Sequence, residues 1–327
     1  MPYINKRIKS YFVWLIDILV REPRLIFRYY LPLKFVKPAN INNSYIFMAD
    51  GRIPHGGMFD RLKGIISIYA IAKSQNKNFK INFTSPFELS KYLQPNNYDW
   101  IIEKNIILYS YPISRPLFLY GECYYPHRVM KKRNKESHFY FGYDILKNVN
   151  SRYQKEYEWG TLYRELFIPT PYLQKYIDYY KQDIGCKYIA IHTRFLNLLG
   201  DKNETDINPE LSEIDKNELM EKVLNTIKQI HTSYNKTIKL MLASDSMLFI
   251  NYAKNAMEDI YVIPGVVKHI DTAKQVNDSE NLKMFLDYYL ISNAEKVYSI
   301  VSDEMWPSAF PEYAAKIGNI AFERIKI

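Results

Sequence analysis

The second half of the chain alternates short apolar runs with segments of helical periodicity, and this alternation limits the folds open to it. Strands are predicted at 188–191, 238–243, 260–263, 296–301 and 320–322, and helices at 213–234, 246–257, 279–293 and 308–317. Strands that alternate with helices of about ten or more residues form parallel sheets covered by helices. We therefore expect a doubly wound, Rossmann-like α/β domain.

The first half shows the same pattern less regularly. Segment 45–49 predicts a buried strand and segment 79–83 a second strand, and the residues between them predict a helix over 58–75 with one apolar face. From 96 to 143 the pattern is broken. A chain of 327 residues is long enough for two domains. The expected division is a basic amphipathic segment, 1–40, an N-terminal α/β domain, 41–170, and a C-terminal Rossmann-like α/β domain, 171–327.

The charge of the chain favours an anionic partner. The net charge is +9 and the isoelectric point about 9.1, which suits nucleic acid, a phosphorylated small molecule or an anionic membrane. Two cysteines, Cys123 and Cys186, are too few for a disulfide scaffold and fit a reducing compartment. Neither Cys-x-x-Cys nor His-x-x-x-His spacing occurs, so no metal site is predicted. We expect a cytoplasmic protein.

An apolar run near the N-terminus, Phe12–Val20, leaves two interpretations open. The run is too short for a transmembrane helix, contains Asp17, and is not followed by a small-residue cleavage site. The basic residues around it are Lys6, Arg7, Lys9, Arg21, Arg24, Arg28, Lys34 and Lys37. Such a segment is typical of a peripheral anchor on the anionic inner face of the plasma membrane. It is equally typical of a surface helix packed on the N-terminal domain.

The strand predicted at 188–191 ends in three polar residues, His192, Thr193 and Arg194. Ligands of open α/β sheets bind outside the carboxyl ends of the strands. A guanidinium group is permanently charged and binds phosphate oxygens in pairs, so Arg194 is a candidate for an anion site. The alternative is a surface arginine paired with a carboxylate, beside a histidine bonded to the backbone.

A second candidate site is the loop before the first predicted helix. It contains His-Gly-Gly, 55–57, followed by Asp60 and Arg61. Glycines at a strand-to-helix turn let backbone amides approach a ligand, and the helix N-terminus favours negative charge. The loop has neither the dinucleotide nor the P-loop glycine pattern. The alternative is an ordinary tight turn followed by surface charges.

Two more predicted strands end in polar residues. Asp245 follows the strand at 238–243, where it could accept hydrogen bonds from a base or ribose, although Ser-Asp-Ser is also a good helix cap. Ser302 and Ser308 lie between the strand at 296–301 and the next helix, an arrangement that binds anions.

Four motifs, in this order, resemble those of the fucosyltransferase superfamily, which contains bacterial α-1,2- and α-1,6-fucosyltransferases and the protein O-fucosyltransferases. They are G-G-x-x-D-R-L at 56–62, H-x-R at 192–194, S-D at 244–245, and D-x-x-x-I-S-x-A at 287–294 before a serine-bearing turn. The resemblance spans about residues 45–320. It implies a GT-B-like pair of Rossmann-type domains with an interdomain cleft, inverting chemistry, a GDP-sugar donor and no cofactor or required metal. In that arrangement 41–170 is the acceptor-side domain and 171–327 is the nucleotide-sugar-binding domain.

The resemblance also implies a role for each matching residue. Arg194 would grip the β-phosphate and assist the departing GDP, and Asp245 would contact guanine or ribose. The full donor-binding set is Gly57, Arg61, His192, Asn197, Asp245, Ser302 and Ser308. Two departures from the family pattern, Asp60 in place of the common Asn and F-L-N-L-L-G-D after Arg194, leave another GDP-sugar open as the donor.

Sugar transfer also uses a base for the acceptor hydroxyl, and the candidates are Asp60, His55 and Asp50, in that order. We expect transfer of fucose from GDP-fucose to a surface-glycan precursor, such as capsule or O-antigen, free or lipid-linked. The competing hypotheses are a non-enzymatic basic module that binds nucleotide or nucleic acid and a nicotinamide oxidoreductase. The first lacks any nucleic-acid-binding signature, and the second lacks the glycine fingerprint.

Overall fold

The computed structural model describes residues 8, 11–31, 44–102, 107, 109–119, 126–185, 187–201, 209–235, 237–265 and 278–327. The chain divides into two compact units, Met1–Ile168 and Pro169–Ile327. Each unit is an α/β structure. The predicted features that lie outside the described residues are Cys123, Cys186, Lys6, Arg7, Lys9, Lys34 and Lys37.

The first unit contains a four-stranded parallel sheet. Its elements are α1 (11–30), β1 (Tyr45–Ala49), α2 (Met58–Ser74), β2 (Phe79–Phe83), β3 (Leu93–Pro95), β4 (Ser114–Leu119), α3 (Pro126–Met130), β5 (Glu136–Phe141), α4 (Leu146–Tyr153), α5 (Trp159–Leu166) and β6 (Phe167–Pro169). The strand order is β2-β1-β5-β4, and each neighbouring pair is parallel. β1 is buried at all five positions, as its uninterrupted apolar sequence predicts.

The helix α1 packs one face on this sheet. It has π-helical turns at Asp17–Arg21 and Ile26–Tyr30, and Leu25 and Tyr30 are buried in a cluster with residues of β1, β4 and β5. Glu22 accepts a hydrogen bond from the backbone amide of Phe118 at 3.2 Å and pairs with a guanidinium group of α3. The helix over 11–30 therefore packs on the first unit, while its contact with a membrane stays a prediction. Among the described residues, no helix is long and apolar enough to span a membrane.

The second unit contains a five-stranded parallel sheet with β7 at its centre. Its elements are α6 (Pro171–Ile184), β7 (Tyr188–Thr193), α7 (Glu213–Ser233), β8 (Lys239–Ser244), α8 (Met247–Ala256), β9 (Ile260–Tyr261), α9 (Asp278–Ile291), β10 (Lys296–Val301), α10 (Phe310–Gly318) and β11 (Ala321–Lys326). The strand order is β11-β10-β7-β8-β9, and every neighbouring pair is parallel. The predicted doubly wound sheet is confirmed.

The two faces of β7 meet different helices. Ile189 and Ile191 belong to a core cluster formed with residues of α7 and α8. On the other face, the Tyr188 hydroxyl donates to the carbonyl of Leu290 in α9 at 2.6 Å. Helices therefore cover both faces of the sheet, which leaves its carboxyl edge as the place where polar groups gather.

Strand order reverses at one point in each sheet. In the second unit the chain runs outward from β7 through β8 to β9 and then returns to the other side of β7 as β10. In the first unit β1 and β5 are the corresponding neighbours. Ligands of open α/β sheets bind in the crevice at such a reversal, outside the carboxyl ends of the strands.

Candidate active site

His192 lies near the carboxyl end of β7 in a row of side chains that crosses three strands. It pairs in register with Ser299 of β10, which pairs in turn with Arg324 of β11. Residues in register on neighbouring parallel strands point to the same face of the sheet. The His192 ring stacks on Phe310 at the start of α10, with 5.4 Å between the ring centroids. Arg324 was missed at the sequence level.

The imidazole of His192 is kept neutral. Burial, followed by the positive charges of Arg194 and Arg324, lowers the pKa of His192 to about 3. The ring nitrogen Nδ1 is shielded from water and has no hydrogen-bond partner within the described part of the chain. Two guanidinium groups therefore act on one buried, uncharged ring at the reversal point of the sheet, which is a suitable environment for an anion.

The backbone directly after Arg194 is held by Asp245. Its buried carboxylate accepts the amide of Phe195 at 2.8 Å and the amide of Leu196 at 3.0 Å. Leu196 has a φ of 54°, a left-handed conformation that is unusual for a leucine and costs energy. The two hydrogen bonds stabilise this turn, so they fix the backbone position from which the half-buried side chain of Arg194 extends.

The rest of this loop is packed into the core. Phe195, Leu198 and Leu199 are buried in the same cluster as α7 and α8. At the end of the loop, Asp201 accepts hydrogen bonds from the Ser246 hydroxyl at 2.8 Å and the Leu248 amide at 2.9 Å. The carboxylate of Asp201 thus occupies the first turn of α8, an N-terminus that would otherwise attract an anion.

The other predicted donor-binding residues of this unit are used in local turns. The Ser302 hydroxyl donates to the Glu304 carboxylate at 2.7 Å and accepts the amide of Glu304. Ser308 is buried, its hydroxyl accepts the Phe310 amide, and its carbonyl accepts from Arg324 at 2.9 Å. Asn197 lies in the turn after Leu196, where its carbonyl accepts the amide of Gly200. Contacts of these three residues with the donor stay predictions.

The first unit has a cavity of about 160 Å³ at the carboxyl ends of β1, β4 and β5. It is lined by Ile53, Pro54, His55, Gly56, Asp60, Phe118, Leu119, Tyr140, Phe141, Gly142 and Tyr143. The cavity lies where the strand order of the first sheet reverses, and it brings together the two leading candidates for the base, His55 and Asp60.

The three candidate bases have different environments. The Asp60 side chain is 49% exposed and lies 3.1 Å from the ammonium group of Lys63. Burial, followed by the charge of Arg61, lowers the pKa of His55 to about 4. The Asp50 carboxylate accepts from Arg52 at 2.6 Å, Tyr109 at 2.9 Å and Tyr140 at 3.2 Å. Asp60 is thus the carboxylate with open access to a substrate.

Arg61 and Gly57 shape the loop that leads into α2. The Arg61 side chain donates to the carbonyl of Gly56 at 2.9 Å and to that of Ser85, and its backbone amide donates to the carbonyl of Gly57 at 3.1 Å. The guanidinium group therefore holds the loop against the end of β2. A donor contact of Arg61 or Gly57 stays a prediction.

Comparisons with known proteins show what this arrangement is similar to. No protein-family model matches the sequence, and no curated protein matches it in sequence. The NodZ α-1,6-fucosyltransferase of Bradyrhizobium, solved with GDP, is 14% identical, with a TM-score of 0.55 over 83% of this chain and 91% of its own. The chain has the fold of a fucosyltransferase.

Two further fucosyltransferase structures are similar to this chain in fold. FUT1 of Arabidopsis thaliana, in complex with GDP, is 12% identical, with a TM-score of 0.57 over 89% of this chain and 71% of its own. POFUT1 in its apo form is 11% identical, with a TM-score of 0.50 over 89% of this chain and all of its own. The fold that the four motifs imply is therefore confirmed, although sequence identity is low throughout.

Within this fucosyltransferase fold, the predicted site residues form two groups. His192, Arg194, Asn197 and Asp245 share one edge of the second sheet, next to Ser302 and Ser308. His55, Gly57, Asp60 and Arg61 share the loop at the reversal point of the first sheet. Among the residues described, no group of three or more His, Cys, Asp or Glu side chains is placed to hold a metal ion. Metal-independent chemistry stays a prediction.

Proposed function

We propose that the protein is an inverting glycosyltransferase that transfers fucose from GDP-fucose to a hydroxyl of a surface-glycan precursor. The observation that carries this proposal is the pair of guanidinium groups, Arg194 and Arg324, acting on the buried neutral ring of His192. The fold that the chain shares with fucosyltransferases solved in complex with GDP supports it.

Arg194 assists the leaving group. As the bond between the sugar and the β-phosphate breaks, its electron pair stays on the phosphate oxygen, and negative charge develops there. A fixed cation in a water-poor site stabilises this charge without reorganising during the reaction. Arg194 takes that role at the β-phosphate, and Arg324 adds a second positive charge nearby. The neutral His192 ring keeps one N–H group, which can donate a hydrogen bond to an oxygen of the donor.

Asp245 acts through the loop it holds. Its hydrogen bonds to the amides of Phe195 and Leu196 restrain the backbone next to Arg194, so Asp245 is proposed as a positioning residue. A guanidinium group that is already in place loses less conformational freedom when it binds phosphate. The contact between Asp245 and guanine or ribose, expected from the family resemblance, remains a second proposal for the same carboxylate.

Asp60 accepts the proton of the acceptor. The acceptor oxygen attacks the anomeric carbon from the face opposite GDP, so the configuration inverts while the hydroxyl proton passes to the Asp60 carboxylate. Asp60 is preferred because its side chain is accessible at a cavity. His55 is a weaker base, since its pKa is lowered to about 4, and the oxygens of Asp50 already accept three side-chain hydrogen bonds.

A nucleotide screen tests the donor class. Thermal melting is measured with GDP, UDP, CMP and NAD. GDP release by hydrolysis, in which water takes the place of the acceptor, is measured with GDP-fucose and GDP-mannose, each with and without EDTA. We expect stabilisation by GDP alone, because a ligand of the native state raises stability by mass action, and EDTA-insensitive GDP release that is fastest from GDP-fucose. Faster release from GDP-mannose would move the proposal to another GDP-sugar. No response to GDP would overturn it.

A further inference from the structure

The outward face of α1 carries an unusual share of the exposed apolar surface. Eight of the sixteen large apolar side chains exposed in the described part of the chain belong to residues 8–31. Phe12, Ile16, Leu19, Val20 and Phe27 recur at three- to four-residue steps or multiples of them, which places them along one side of the helix. Leu19 and Phe27 are 68% and 74% exposed. Exposed apolar stripes of this kind mark interaction surfaces.

The charges beside this stripe are positive. Arg21, Arg24 and Arg28 are all exposed. The two acidic residues of the helix lie on its inner side. Asp17 is 1% exposed and pairs with Arg21 at 2.7 Å. Glu22 pairs with Arg128 at 2.7 Å. The helix therefore presents apolar and cationic groups outward, while its carboxylates face the protein.

The same imbalance appears in the sequence. Residues 1–37 contain eight Lys and Arg against two acids, a net charge of +6, whereas the whole chain carries +9. Two thirds of the net charge thus lies in about a ninth of the chain. An apolar stripe bordered by arginines matches the two layers of an anionic bilayer surface, the acyl boundary and the charged headgroups.

We propose that the outward face of α1 docks on an anionic lipid bilayer, with Phe12, Ile16, Leu19, Val20 and Phe27 in the acyl boundary and Arg24 and Arg28 at the headgroups. The inner face stays packed on the first sheet, so the helix lies in the interface while the folded unit remains intact. This proposal does not depend on the donor or on the reaction.

The experiment uses the full chain and vesicle flotation. Vesicles of phosphatidylcholine alone are compared with vesicles containing about 30% phosphatidylglycerol, since anionic headgroups attract basic segments. We expect binding to the anionic vesicles, at least about tenfold weaker binding to the neutral ones, and weakening when salt is raised from about 0.1 M to about 0.5 M.

Three variants define the face. Leu19→Ser with Phe27→Ser removes the two most exposed apolar groups, and Arg24→Ala with Arg28→Ala removes the charge; each double variant is expected to bind anionic vesicles at least about tenfold more weakly. The matched control is Ile214→Ser in α7, where the side chain is 73% exposed, and it should bind like the wild type. All four proteins should melt at similar temperatures, because the changed side chains lie outside the core.

Two results would overturn the proposal. One is wild-type protein that does not float with anionic vesicles, or double variants that float as well as the wild type. The other is a dimer in lipid-free solution, measured by sedimentation velocity, that the Leu19→Ser/Phe27→Ser variant dissociates. That result would make the face an interface between two copies of this chain.

Discussion

The carboxylate of Asp245 accepts the backbone amide of Phe195 at 2.8 Å, directly after Arg194 in the chain. Its second oxygen accepts the amide of Leu196, which has a φ of 54°. Asp245, which follows β8, thus restrains the backbone next to Arg194, which follows β7. In a parallel sheet, neighbouring strands end at the same edge, so the folding of β8 beside β7 completes the phosphate side of the proposed site.

The variant Asp245→Asn tests this control. An amide group can accept only one of the two backbone donors, so we expect a loss of about 1–3 kcal/mol in the free energy of unfolding. We also expect GDP affinity, measured by calorimetry, to fall by about tenfold because Arg194 is less well positioned. The control is Asp183→Asn, which changes a carboxylate bonded to Tyr261 at the protein surface. Reduced stability with unchanged GDP affinity would contradict the positioning role.

Replacement of Asp60 tests the proposed base. Asp60→Asn keeps the shape of the side chain but cannot accept a proton, so kcat for sugar transfer should fall by about 10²–10⁴-fold. GDP affinity should stay within about twofold, since Asp60 is assigned to the acceptor rather than the donor. The comparison variant is His55→Asn at the same cavity, with a smaller expected loss. A greater loss of kcat in His55→Asn than in Asp60→Asn would reverse the assignment.

The buried His192 makes stability depend on pH. In the native protein its pKa is lowered to about 3, while in the unfolded chain it takes the ordinary value of 6.5. Between those values the unfolded state binds more protons, so stability falls as the pH drops below about 6.5, by about 1.4 kcal/mol for each pH unit well below that value. Burial also lowers the pKa of His55, so its titration changes stability in the same direction.

Urea unfolding at pH 7 and pH 5 measures the His192 contribution. His192→Asn removes the titrating group, so the stability lost between the two pH values should be smaller than in the wild type by on the order of 2 kcal/mol. An equal loss in both proteins would show that His192 is protonated in the native state at pH 5.

Gly64 allows α2 to pack directly on β5. A Cβ atom at this position would lie 2.0 Å from the carbonyl oxygen of Phe141. Alanine is favoured over glycine in a helix by about 1 kcal/mol, but this contact forces the helix away from the strand. We expect Gly64→Ala to destabilise the protein by about 1–3 kcal/mol. A Cβ atom at Gly142 would lie 3.5 Å from its nearest neighbour, so Gly142→Ala should have little effect on the urea midpoint. If the two variants shifted the urea midpoint equally, the close contact at Gly64 would not be the cause.

The strands that could be predicted are those in which most residues are apolar, β-branched or aromatic. β1, β2 and β10 were predicted at their observed bounds, and β7 was predicted two residues short. β5 was missed because Glu136, Ser137 and His138 are polar but buried. The Tyr30 hydroxyl lies 2.6 Å from one ring nitrogen of His138 and Glu136 lies 2.7 Å from the other. The partner of a buried polar residue can be more than a hundred positions away, and no local pattern reveals it.

The residues of the candidate site that directly follow a predicted strand could also be predicted, whereas those placed by contacts between distant segments could not. Arg194 and Asp245 stand at the ends of clear apolar runs, and each could be recognised from its position. Arg324 could not, because its place beside His192 depends on the register of β11 with β10. The last strand was expected at 320–322 but extends over Ala321–Lys326. The role of Asp201 likewise depends on a contact between two loops.

The role of Arg194 at the departing GDP is tested most directly by hydrolysis of GDP-fucose. GDP release by Arg194→Ala is compared with that of the wild type and of Lys187→Ala. Lys187 is an exposed cation at the opposite end of β7, so its loss changes the net charge equally. We expect a fall of about 10²–10³-fold for Arg194→Ala, with an unchanged melting temperature, and near wild-type activity for Lys187→Ala. Near-normal GDP release by Arg194→Ala would contradict this role of Arg194.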